Sequence, residues 1–213
     1  MVKITTELEM FEELIFLMSE KVRKMHVWSM EVIKTGNKEK ALSIIELDEY
    51  VNNDEEMINR RALEVLALLA PLASDLRKVI VGIKIATDLE RIGDYAKSVA
   101  RYVIKNDKID EEYLPYVETI NNSFIKFYDA TMETYKLKDV KSALELSKLD
   151  EEIDITIAKL YKHIEKNNLE HKELANIVPF VSMLRNFERA GDHTKNILEH
   201  LIYEVTNQRY DFG

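Results

Sequence analysis

The chain has 213 residues, enough to bury a core, and combines 46% hydrophobic with 32% charged residues while holding only five Gly and three Pro, a mixture that predicts long amphipathic helices with few turns. It has no Cys, which excludes disulfides, thiolate metal sites, iron–sulfur clusters and thiol catalysis, so any metal must be held by oxygen or imidazole. Its formal net charge of −9 repels phosphate backbones and anionic lipid surfaces and argues against nucleic acid as a partner.

The opening residues carry acids with no apolar segment behind a basic flank, so a cytoplasmic location is expected. Thr6 followed by Glu9 reads as a capping box ahead of an apolar rhythm over 8–33, which Gly36 and Asn37 stop. A second periodic stretch covers 38–69, with Ile44, Leu47, Val51, Ile58, Ala62, Val65 and Leu69 on one stripe, and ends before Pro71. The apolar run over 65–73 falls far short of the roughly 20 residues that span a bilayer, so no direct membrane insertion is expected. Ser74 is placed to cap a third helix reaching about 105, where Asn106 and Asp107 break the pattern. Pro115 suits the first turn of a fourth helix to about 135, and Asp139 can cap a fifth to about 166. Asn167 and Asn168 then separate the fifth from a sixth. Pro179 inside the sixth predicts a kink or a late start.

The second half repeats the first. Glu90-Arg91-Ile92-Gly93-Asp94-Tyr95-Ala96-Lys97 aligns without a gap on Glu188-Arg189-Ala190-Gly191-Asp192-His193-Thr194-Lys195, and Leu47-Asp48-Glu49 is echoed by Leu149-Asp150-Glu151. The expected fold is therefore all-α, with six long helices as two tandem, duplicated three-helix bundles over 1–106 and 107–213.

At 100° per residue, Val81, Ile85, Leu89, Ile92, Ala96, Val99 and Val103 form the core stripe of the third helix, and Glu90 and Asp94 lie on the opposite side. The sixth helix repeats this with Glu188 and Asp192. On the second helix Asp48 and Asn52 run along the edge of the apolar stripe, as Asp150 and Asp154 do on the fifth. Adjacent carboxylates repel by a few tenths of a kcal/mol, so the duplicated pairs call for a compensating cation. Arg91 and Arg189, or Lys97 and Lys195, can supply it internally; a hard metal ion bound by several oxygens is the alternative. Gly93 and Gly191 each cost about 1 kcal/mol in a helix interior, which close packing or room for a ligand would explain. His26, His163, His171 and His200 lack Glu-x-x-His spacing and read as surface or boundary residues; His193 follows Asp192 and is a candidate to reach a metal on the presented face, but it points about 100° away from Asp192, which counts against that role. No nucleophile elbow, phosphate-binding Gly loop or dinucleotide fingerprint is visible.

Leu89-Glu90-Arg91-Ile92-Gly93-Asp94, its echo Phe187-Glu188-Arg189-Ala190-Gly191-Asp192, and the Asp-bearing segments of the second and fifth helices resemble the PhoU family over essentially the whole chain. The resemblance implies two tandem three-helix bundles that accompany a phosphate-specific ABC transporter and its sensor histidine kinase, repressing phosphate-starvation genes when phosphate is plentiful. It also implies oxygen-ligated divalent or trivalent metal, with iron, zinc, manganese, magnesium and nickel as candidates. The metal ligands carried over are Asp48, Asn52, Glu90 and Asp94 in repeat one and Asp150, Asp154, Glu188 and Asp192 in repeat two, Asn52 departing from the carboxylate pattern. The composition agrees with a non-catalytic regulator, with a homodimer as the favoured assembly. The competing readings are a metal-dependent hydrolase or oxidase built on the same carboxylates, and a scaffold whose acids are only ion-pair partners.

Overall fold

The computed structural model describes the backbone of residues 2–106, 109–168 and 174–212, with side chains throughout except at 2, 3, 150, 167, 168 and 174–176. His171 lies outside these spans. Among the described residues seven α-helices follow one another and no strand occurs: α1 (Val2–Thr35), α2 (Lys38–Leu69), α3 (Ala73–Lys105), α4 (Leu114–Leu137), α5 (Val140–Leu146), α6 (Asp150–Asn168) and α7 (Leu174–Thr206). A single 3-10 turn, Ser147–Leu149, lies between α5 and α6. The six-rod plan holds, with the fifth rod broken by that turn.

Helix α1 buries Leu8, Phe11, Ile15, Met18, Val22 and Met25, a 3-4-3-4-3 spacing that keeps one seam against α2 and α3. Each such side chain removed from water contributes about 1.5–3 kcal/mol. Gly82 lets α3 pack closely on α1: an added Cβ would stand 2.2 Å from Phe11 Cε1. Helices α4, α5–α6 and α7 form the second bundle around Phe124, Tyr135, Leu160 and Phe187.

The bundles also pack on each other, α3 against α7 and α1 against α4. The Tyr128 hydroxyl donates to the Ser19 carbonyl at 2.9 Å, and Arg23 grips both Asp129 oxygens at 2.6 and 2.8 Å. Lys138, left-handed at φ 53° where α4 ends, reaches Glu12 at 2.9 Å and Glu204 at 2.8 Å, tying α1 to α7.

Several local expectations change. Thr6 lies inside α1, because Ile4 continues the apolar pattern upstream and the helix propagates through the capping signal. Ser74 does not cap α3: Leu72 is its N-cap and offers no side-chain bond. The chain is turned by left-handed Ala70 at φ 44° and then Pro71. Asp139 does cap its helix, accepting from the Lys141 and Ser142 amides. That helix tightens at Ser147, whose hydroxyl donates to the Leu144 carbonyl three residues back. Helix α6 runs through Asn167 and Asn168, and α7 begins five residues ahead of Pro179, which is not a start signal.

Candidate functional site

Positions 48, 52 and 55 of α2 share one face, and so do 87, 90, 94 and 97 of α3. The structure lays the two faces together, end to end. Thr87 donates to Glu55 at 2.9 Å at one end, and Lys97 donates to Asp48 at 2.5 Å and to Asp94 at 3.1 Å at the other. Asp48 is 1% exposed, so it sits within the buried stripe of α2 and not along its edge. Asn52 Nδ2 donates to Asp48 Oδ2 at 3.4 Å, while Asp48 Oδ1 and Asn52 Oδ1 are buried with no hydrogen-bond partner among the described residues.

The electrostatics follow from this crowding. Burial, then the neighbouring Asp94 charge, push the Glu90 carboxyl above its ordinary range, and Arg91 at 3.5 Å pulls against them. Burial also raises Asp48, against the pull of Lys97. Lys97 loses some basicity to burial, but its hydrogen bonds to Asp48 and Asp94 more than restore it, and the net shift is upward. Arg91 approaches Asp94 as well, at 3.9 Å. Glu55 joins the row through Thr87 and its repulsion of Glu90. Its sequence signal was the seven-residue step from Asp48, two turns along the same face.

In repeat two, Glu188 is half-buried on α7 and close enough to α6 for its charge to raise the Tyr161 phenol, whose main perturbation is burial. Asp192 and Asp154 are exposed, and both have polar interactions. Asp150 opens α6, but its side chain lies outside those described.

A metal ion is implied by the family resemblance, and the described residues offer a test of it. No three Asp, Glu or His side chains among them gather closely enough to hold one. In repeat one the point between Asp48 and Asp94 is taken by the Lys97 ammonium. As arranged, that set does not fit a metal.

Gly93 faces Val51, Met25 and Val22, with an added Cβ 3.4–3.7 Å from their side chains. Its smallness serves the α1–α2–α3 core, where the nearest atoms are side chains and not backbone. His193 does not turn toward the carboxylate row. Its Nδ1 meets Asp88 Oδ1 at 2.7 Å, where Asn196 donates at 3.1 Å, while His200 Nε2 stands 3.1 Å from Asp88 Oδ2. Asp88 is 7% exposed, between α3 and α7. Burial opposes its charge, but the bonds from His193, His200 and Asn196 overcome that and hold the carboxyl below its usual range. Asp88 was missed because its partners lie more than 100 residues away and its spacing signals nothing by itself.

The PhoU domain model matches residues 15–103 and again 118–201, one match on each bundle. The chain belongs to the PhoU family. Among PhoU relatives, a protein of Zymomonas mobilis named phosphate-specific transport system accessory protein PhoU homolog is 30% identical over 183 residues, covering 85% of this chain and 77% of its own. The crystal structure of PhoU from Pseudomonas aeruginosa superposes with a TM-score of 0.89 at 27% identity, over 96% of this chain and 99% of that one. The Streptococcus pneumoniae structure, titled phosphate transport system regulatory protein PhoU, gives 0.90 at 25% identity over 98% and 100%. PhoU architecture thus extends over both bundles, and no described helix is long and apolar enough to cross a membrane.

Proposed function

We propose that this PhoU-family chain is a non-catalytic accessory regulator of phosphate transport. It works in the cytoplasm, as a homodimer, by binding a phosphate ABC transporter and its sensor histidine kinase and repressing phosphate-starvation genes when phosphate is plentiful. The observation that carries the reading is the whole-length PhoU correspondence with the Glu-Arg-x-Gly-Asp motif in both repeats. Relatives at this similarity bear the name of a transport-system accessory protein. Any approach to the membrane is through these partners, in keeping with the net charge of −9.

An oxygen-ligated divalent or trivalent cation belongs to this reading at repeat two, where Asp150, Asp154, Glu188 and Asp192 supply four carboxylates. Repeat one has three, with Asn52 as the fourth group. The deciding experiment is a clean deletion in cells growing on excess phosphate. A phosphate-starvation reporter should rise and fall again on complementation. An unchanged reporter in a strain with no second PhoU gene would overturn the assignment.

A further inference from the structure

Asp48 is a nearly inaccessible carboxylate, and a buried charge persists only where another charge answers it. Lys97 answers it from the next helix at 2.5 Å, and the same ammonium reaches Asp94 at 3.1 Å. Two more oxygens, Asp48 Oδ1 and Asn52 Oδ1, are buried beside this pair without a donor among the described residues. A shared point flanked by two carboxylates and an amide oxygen is the setting a hard cation selects, and here a side chain of the protein fills it.

We propose that Lys97 is the resident cation of the repeat-one carboxylate set, so that this repeat is complete without metal and becomes a metal site only when the ammonium is withdrawn. The inference rests on the reading of such sets as cation sites. Asn52 belongs to the same arrangement: a neutral amide, with its Nδ2 turned to Asp48, leaves fewer negative charges for one ammonium to balance. Repeat two carries Lys195 in the register of Lys97 but four acids, so one ammonium leaves it with more residual negative charge.

The test compares full-length wild type, Lys97→Ala, Asp48→Asn and the double variant, all stripped with chelator. Each is dialysed against Mn2+, and metal content and thermal unfolding are measured. Lys97→Ala should melt lower than wild type in chelator, take up one more Mn2+ per chain, and recover its melting temperature when Mn2+ is added. Adding Asp48→Asn should abolish the extra ion, and Asp48→Asn alone should leave the wild-type metal content unchanged. Equal Mn2+ uptake by wild type and Lys97→Ala, or loss of an ion from wild type on Asp48→Asn alone, would overturn the proposal. If Lys97→Ala does not fold in chelator, Lys97→Gln carries the same comparison, with a neutral donor on the two carboxylates. Wild type that binds no Mn2+ while Lys97→Ala binds one would remove the repeat-two metal from the proposed function and leave this inference standing. The reporter assay tests the regulatory role independently of metal content.

Discussion

His26 is fully enclosed, its ring 4.4 Å from that of Phe124, its Nε2 donating to the Ile92 carbonyl at 2.8 Å and its Nδ1 without a hydrogen-bond partner among the described residues. Burial lowers its pKa from 6.5 to about 4, against the pull of that bond. The unfolded chain therefore takes up the proton first. Stability is full above the unfolded value near 6.5 and falls as pH drops toward about 4, by about 3 kcal/mol across the window. Urea unfolding at pH 7 and pH 5 should show the loss, and His26→Gln should flatten the slope; a slope unchanged by that variant would assign the titration elsewhere. Asp88, held below the ordinary carboxylate range, contributes stability above its unfolded pKa that is lost at still lower pH, as acid reaches the folded value. Gly82 and Gly93, both inside α3, separate just as clearly. Gly82→Ala drives a methyl into Phe11 and should cost about 1–3 kcal/mol, whereas Gly93→Ala makes near-ordinary contacts and should be neutral or gain up to about 1 kcal/mol from helix propensity. Chemical denaturation of the two variants side by side checks the contrast.

Apolar stripes survive translation from sequence to helix because a 3.6-residue period is averaged over several turns, and the six rods were legible for that reason. Single-residue punctuation was less so. Thr6 carried a capping signal that a neighbouring Ile4 outweighed, and Asp139 carried one that nothing opposed. The Ser147–Leu149 turn had no period to reveal it. Asp139→Ala removes the acceptor for two amides and should lower stability by about 1 kcal/mol, visible as a drop in thermal midpoint. At the preceding position, Lys138→Ala leaves Glu204, whose side chain is only 4% exposed, facing Glu12 without its ammonium. The expected loss is about 2–3 kcal/mol. Glu204→Gln in the same background should recover part of it, since the carboxylates then no longer repel. The carboxylate pairs were legible as repeated spacings, but which charge answers which depended on how α2 lies against α3. That is why Lys97 could be named as a candidate partner and Glu55 could not.

Pairing between helices far apart in sequence is the scale at which a single chain reads worst, and the Asp88 cluster is the example: an acid on α3 meets His193, Asn196 and His200 on α7. Asp88→Ala would strand these donors at the seam and should cost about 2–3 kcal/mol. Because α3 packs on α7 and α1 on α4, the whole chain should unfold in one transition. Two resolved transitions in a calorimetric scan of wild type would contradict this. The same seam joins the two helices that bear the duplicated motif, so each repeat is covered by the counterpart of its own third helix. A segment of residues 1–106 expressed alone would expose that face to solvent, and another copy of the segment is the surface best shaped to cover it. The short connection between the repeats turns that encounter into an intramolecular one, at an effective concentration on the order of millimolar. In that sense the protein is a fused pair: the self-association a lone repeat would need at high concentration is guaranteed in every molecule by the peptide bond.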